Sequence, residues 1–399
     1  MKRVLIWLLL LGVALGQVGC LRSQSVDESG YVLAIGFDEG DLFDYRISFA
    51  VQKIGMESNE PKTEGFSLHT AEAETLYEAI ETLTGSLPHQ LSFARTTMII
   101  LDLALVQERG RLEDLLNTAM ERLLIRYNAS VYVALDGANA VLEGLVNSDL
   151  KLSLDKLQSH FLDYAKRTGF LPLCNLKQLY ETAVVQPGDS VIPLIGTSKG
   201  YLQIGVADSV GRRELAILGG HMPIETELQT GVGGAALLQE GQLAGVLDGQ
   251  NTQLLLLATG QFQNGGMRFT DDSTGREYYF RVTPAGPPDV KLTLNETPQA
   301  QVRLQLGMSM VHPYRLEGET METLESKAQD WLQTGLQRLF DTCQQLGADA
   351  FGFEKQAVRQ FTSVAAWESY DWRAAYQRLQ ASFTVSVSLD PDEKNAFLR

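Results

Sequence analysis

The stretch Val302-Arg303-Leu304-Gln305-Leu306-Gly307-Met308-Ser309-Met310 alternates apolar and small or polar residues along its whole length. That period marks a strand with one buried face, because successive side chains point to opposite sides of a sheet. Beyond it the period changes. From Thr320 onward, Leu324, Ala328, Trp331, Leu332, Gly335, Leu339, Cys343 and Leu346 recur at helical spacing, and Gly347 follows as a helix-ending glycine. A short helix is expected over about 370–378, and Phe383, Val385, Val387 and Leu389 then alternate as a closing strand. Upstream, Tyr278 to Val282 and Val290 to Leu294 read as strands around the turn Pro284 to Pro288. Strands, one long helix and a last strand predict an antiparallel sheet with a long helix on one face. This is the C-terminal α+β domain, residues 262–399.

Working back, residues 188–261 form a β-rich, Gly-rich middle domain that opens after the break Pro187-Gly188-Asp189. Strands are expected at 190–195, 201–205, 214–219, 234–239 and 242–247, with Glu240-Gly241 as a hairpin turn. The run Asn251 to Thr259, with four consecutive leucines, suits either a buried helix or a buried strand, and helix is preferred. Residues 21–187 form an N-terminal α+β domain. Its hairpin joins Tyr31–Asp38 to Tyr45–Val51. A helix over 71–87 carries the stripe Leu76, Ala79, Ile80, Leu83 and Leu87 and stops at Pro88. A strand over Phe93 to Leu101, helices over 111–125 and 137–146, a strand at 129–135 and helices at 151–166 and 174–183 complete it. The fold class is α+β, with three domains of mixed or antiparallel sheets and helices packed on them.

The N-terminus has a different character. Met1-Lys2-Arg3 precedes an apolar run from Val4 to Leu15, then Gly16-Gln17-Val18-Gly19-Cys20. A basic start and an apolar run of about a dozen residues make a secretory signal, too short to span a bilayer as a helix, which takes about 20 residues. A small residue followed by cysteine is the order found in bacterial lipoprotein signals. Residues 1–20 are then a signal peptide, and Cys20, bearing diacylglycerol, is the lipidation site. Gln17 stands where such signals usually have leucine. An ordinary cleaved signal and an uncleaved anchor are the alternatives, and all three place the remaining chain outside the cytoplasm.

The chain has 399 residues and a net charge of −16, from 33 basic and 49 acidic side chains. That balance argues against nucleic acid, which requires a basic face, and against electrostatic adhesion to anionic lipid. The two remaining cysteines, Cys174 and Cys343, sit among apolar residues and read as buried free thiols. The five histidines lack metal-ligand spacing, and HExxH, CxxC, P-loop and GxSxG patterns are missing from the sequence. Gly231-Val232-Gly233-Gly234 leads into a strand, so it reads as a turn and not a phosphate loop. Trp331 lies among leucines and reads as core, which leaves no aromatic cage with Trp367 and Trp372. These readings predict no enzyme, no cofactor and no metal.

Four blocks, in order, carry a resemblance to a known family. They are Val32 to Gly40 after the signal, Thr75-Leu76-Tyr77-Glu78-Ala79-Ile80 with Phe93 to Leu101, Gly234 to Leu247, and Leu346-Gly347-Ala348-Asp349-Ala350-Phe351-Gly352-Phe353 with Trp372 downstream. On these the chain resembles the C subunit of nutrient germinant receptors, the Ger(x)C family of spore germination lipoproteins. Leu21-Arg22 and Asn251-Thr252-Gln253 depart from the family's usual Trp-Asp and Glu-Thr-Arg. The resemblance implies a three-domain α+β protein without enzymatic activity. Its partners are a multi-spanning A subunit and a transporter-like B subunit in the spore inner membrane, where it is lipid-anchored on the extracytoplasmic face. A rival reading is a solute-binding lipoprotein that delivers a ligand to a membrane transporter. That class has two α/β lobes with parallel sheets, and the strands after Gly188 follow one another without helices between them. Within the last block Gly347 is expected at positive φ, Asp349 on backbone amides of the turn, and Phe351 and Phe353 in the core.

Overall fold

A computed structural model describes residues 29–52, 65–108, 110–121, 123, 125–147, 153–186, 188–197, 218–219, 230–271, 274–310 and 320–390. Two sheets organise it. The first contains β1 (Ser29–Glu39), β2 (Tyr45–Gln52), β3 (Phe66–Ala73), β4 (Gln90–Ser92), β5 (Met98–Asp102), β6 (Ser130–Ala134), β7 (Asp189–Thr197), β8 (Thr230–Gln239) and β9 (Gln242–Leu247). Its order is β3-β2-β1-β5-β6-β7-β8-β9, with the short β4 also on β1. The centre β1-β5-β6-β7 is parallel, and antiparallel strands flank it on both sides. Central parallel strands are covered on both faces and so read as unbroken apolar runs. Met98-Ile99-Ile100-Leu101 is such a run: Ile99 and Leu101 enter one core, Met98 and Ile100 the other.

Helices α1 (Leu76–Thr84), α2 (Leu103–Gln107), α3 (Arg111–Glu121), α4 (Ala138–Val146), α5 (Leu154–Thr168) and α6 (Leu176–Tyr180) cover those faces. Leu76, Leu105, Leu115, Leu116 and Leu176 pack on one side. Leu142, Leu145, Leu157 and Phe161 pack on the other. Residues 71–73, expected to start a helix, end β3 instead. Ala71 and Ala73 sit opposite Ile47 and Tyr45 of β2, and the helix begins only where Thr75 caps the Glu78 amide. Alanine favours helix intrinsically, and here sheet packing overrides that preference.

The break at Pro187-Gly188-Asp189 is not a break in the sheet. β7, β8 and β9, read as part of a separate middle domain, extend the N-terminal sheet, because β7 pairs with β6 in parallel. Local punctuation ends an element without saying where the next one pairs. The strand expected at 201–205 lies outside the described residues, as does the one at 214–219 apart from Leu218 and Gly219. Helix α7 (Gly249–Ala258) follows β9. All four of its consecutive leucines are buried, as befits a helix enclosed on every side. They share one core with Ala235, Leu237 and Leu247 of the first sheet and with the interior of the second.

The second sheet has β10 (Gly265–Asp271), β11 (Arg276–Pro284), β12 (Asp289–Thr293), β13 (Gln299–Met310) and β14 (Gln380–Asp390). β11 and β12 pair antiparallel with successive halves of β13, and β10 extends β11. β14 lies on the other side of β13 and runs parallel to it. The expected antiparallel sheet with a long helix is thus present, with a parallel last pair. The helix, α8 (Met321–Gln345), is the crossover that a parallel pair requires. Its buried stripe includes Leu336 and Phe340 beside the expected Leu324, Leu332, Leu339 and Cys343. Short helices α9 (Phe353–Val358), α10 (Val364–Glu368) and α11 (Trp372–Gln377) precede β14.

Candidate functional site

Cys20 lies outside the described residues, and β1 begins nine residues after it. The four sequence blocks can be placed, and two of them meet. Asp38, at the end of the first block, is buried, and its carboxylate accepts the amides of Ala138 at 2.6 Å and Asn139 at 2.8 Å. It therefore caps the N-terminus of α4 from a strand about 100 positions away, where the helix dipole favours an anion. Burial raises its pKa to about 6, the Asn139 and Ala138 amides pull it back, and Asp102 adds to the rise. The second block places Thr75 as the cap of α1.

The third and fourth blocks form the junction between the sheets. Glu240 (φ 49°) and Gly241 (φ 80°) make the β8–β9 turn, both in the left-handed region that a two-residue hairpin favours. Leu346 packs against Gly245 of β9, where a side chain would meet its methyl group at 2.7 Å. Gly347 has φ 73° beside Gln239. Asp349 then accepts the Phe353 amide at 3.0 Å and the Glu354 amide at 2.6 Å, holding the start of α9. Its own amide donates to the carboxylate of Asp189, the first residue of β7.

Arg373 of α11 closes this junction. It grips Asp189 with two nitrogens, at 2.6 and 2.8 Å, donates to Gly347 O at 3.3 Å and lies 3.5 Å from Glu240. Paired planar contacts of this kind are the strong form of an ion pair. Burial alone would lower the Arg373 pKa, but the bonds to Asp189 and the field of Asp189, Glu240 and Glu354 carry it up. Burial raises Asp349 to about 6 and Glu354 to about 7, with neighbouring carboxylates adding to both shifts. Sequence reading foresaw Asp349 but missed Arg373 and Glu354, and took Asp189 only as part of a turn.

This arrangement fixes one sheet to the other. Both free thiols are buried, and burial pushes Cys174 and Cys343 to about 12, far from the thiolate range at neutral pH. Among the described residues no three His, Cys, Asp or Glu side chains are grouped to hold a metal ion. Trp331 packs on Phe269 at 5.7 Å, while Trp367 and Trp372 lie 6.3 Å apart in a separate cluster with Phe361 and Tyr370. Among the described residues no helix is long and apolar enough to cross a membrane.

Comparison with known proteins assigns the chain. Residues 22–197 match the family model for a spore germination protein N-terminal domain, and residues 233–391 match the spore germination B3/GerAC-like C-terminal model. The chain is similar to the crystal structure of the GerBC protein, with a TM-score of 0.52 at 13% identity, over 89% of this chain and 96% of that one. At that identity the likeness concerns the fold alone. No curated protein matches the chain. On the two family models, which together span most of its length, the chain belongs to the Ger(x)C family of spore germination proteins.

Proposed function

We propose that this chain is the non-catalytic, lipid-anchored C subunit of a nutrient germinant receptor. It is held through Cys20 on the outer face of the spore inner membrane, beside integral A and B subunits. The supporting observation is the order of parts. A lipoprotein-type N-terminus ending at Cys20 leads directly into the two family domains at 22–197 and 233–391. Two acyl chains hold a protein on a bilayer where one is marginal, so a chain with this N-terminus needs no spanning helix to stay with membrane partners. Its contribution to a receptor is then structural: a rigid exported body that positions or stabilises the subunits in the membrane.

The test is Cys20→Ala in the spore. The chain should lose its acyl label and leave the membrane fraction, and the nutrient response should fall while a receptor-independent stimulus still germinates the spores. A normal nutrient response from spores whose chain has left the membrane would refute the proposal.

A further inference from the structure

The two ends of the β1, β5 and β6 strands differ in charge. At the end where β1, β5 and β6 finish stand Asp38, Asp41, Asp44, Glu72, Asp102 and Asp136, against Arg46 and Arg111. The opposite end of these three strands, where the chain enters β1, is built from stretches 85–97, 125–130 and 169–180, which contain no Asp or Glu in a chain that has 49. Three cations gather there. Arg95 lies over the Tyr31 ring at 4.3 Å and donates to Gln52 at 3.2 Å. Arg126 and Tyr127 precede β6, whose first residue bridges to Asn175. The Lys177 amide donates to Tyr127 O at 3.1 Å, so Lys177 and Leu173 flank the same corner. Tyr127 is 62% exposed and Leu173 43% exposed. Asp155, bonded to Thr97, Glu181, paired with Lys177 at 3.5 Å, and Glu121, which ends α3, are acids beside this corner. Asp189 and Glu240 stand at the same end of β7 and in the β8–β9 turn, where Arg373 pairs with both.

Exposed tyrosine and leucine among Arg and Lys suit a bilayer interface, where aromatic rings sit at headgroup level and long cations reach phosphates. The chain length fits as well. Eight residues lie between Cys20 and Ser29, nine steps of chain that reach at most about 30 Å at ~3.3–3.6 Å per residue. β1 has 11 residues and at ~3.3 Å each runs about 36 Å away from that point. We infer that the end of the first sheet carrying Tyr31, Arg95, Arg126, Tyr127, Leu173 and Lys177 rests on the lipid surface. The acidic end, with the β1–β2 turn and its 84% exposed Leu42, points away. This rests on the reading of Cys20 as the anchor.

The experiment reconstitutes the full-length lipoprotein into phosphatidylethanolamine–phosphatidylglycerol vesicles containing a brominated lipid. One environment-sensitive fluorescent residue replaces either Tyr127 or Leu42. The probe at 127 should lose emission to the brominated lipid, and the probe at 42 should not. An added Arg95→Glu and Arg126→Glu pair should abolish the quenching at 127. Equal quenching at both positions, stronger quenching at 42, or protection of 127 only when membrane subunits are added would overturn the inference. Mass analysis of Cys20 separates this result from the anchoring question. If the residue is not acylated in the cell, the same chain coupled there to a maleimide phospholipid gives the same comparison.

Discussion

At the scale of single residues, the block from Leu346 to Phe353 is built to be kept in place. Gly347 occupies φ 73°, the Ala348 carbonyl accepts the buried Tyr376 hydroxyl at 2.9 Å, and Asp349 is 4% exposed with both oxygens on backbone amides. Phe351 stacks on Phe353 at 5.7 Å and meets Phe340 and Phe383 edge-on or tilted at 5.8 and 5.5 Å. Removing that ring leaves a void among side chains that themselves pack a core. Phe351→Ala should therefore destabilise the protein by about 3–5 kcal/mol. Gly347→Val should destabilise it by about 1–2 kcal/mol, because a β-carbon is disfavoured at that φ. Its nearest neighbour, the end of Gln239, can move aside. Urea unfolding of both variants tests the pair. Wild-type midpoints together with a lost germination response would instead make the block a partner contact.

At the scale of elements, edge protection explains features that composition does not. β14 is an edge strand, and open edges invite pairing with other chains. Here α8 runs alongside it, and Glu325, Gln329 and Gln333 accept the amides of Leu389, Val387 and Val385 at 2.8, 3.3 and 3.3 Å. The match is metrical: four helical residues advance about 6.0 Å and two strand residues about 6.6 Å. On the other edge, Gln250 and Gln253 of α7 donate to the Arg268 and Gly266 carbonyls of β10 at 3.3 and 2.9 Å. Gln329→Ala with Gln333→Ala should speed hydrogen exchange at Val385 and Val387. It should also destabilise the fold by about 1–3 kcal/mol for each amide left without a partner. Unchanged exchange would mean that water already serves those amides. Such roles are hard to read from sequence. The helical stripe of α8, the Glu240-Gly241 hairpin and the buried α7 were legible because each is a local pattern. The targets of Gln329 and Gln333 were not, since a polar stripe looks the same facing solvent or facing a strand. The parallel sense of β14 was also hidden, because alternation is identical in either direction.

At the scale of the whole molecule, two sheets share a junction that the sequence does not announce. Asp349 was legible because capping acts over a few residues. Arg373 and Asp189 lie 184 positions apart and only the fold brings them together. The junction carboxyls, together with Asp38 at the start of α4, bear on how stability responds to pH. Burial raises Asp38 and Asp349 from 3.8 to about 6 and Glu354 from 4.5 to about 7. Between the unfolded and folded values the native state therefore holds more protons than the unfolded chain. Stability from these groups is fully present below about pH 4 and is lost as pH rises through about 6 to 7. Two other effects bear on the direction. The net charge of −16 becomes less negative on acidification, which relieves self-repulsion and acts the same way. Glu72, whose pKa Arg46 lowers first of all, acts in the opposite sense, but the pair lies at the surface, with Arg46 37% and Glu72 19% exposed, where such pairs contribute little. The urea midpoint should therefore be higher at about pH 5.5 than at about pH 7.5. Glu354→Gln should flatten that difference, because the amide cannot ionise while the Asp189–Arg373 pair stays in place. A midpoint that climbs with pH, or a slope that Glu354→Gln leaves unaltered, would show that the junction carboxyls are charged throughout and that Arg373 offsets their burial completely.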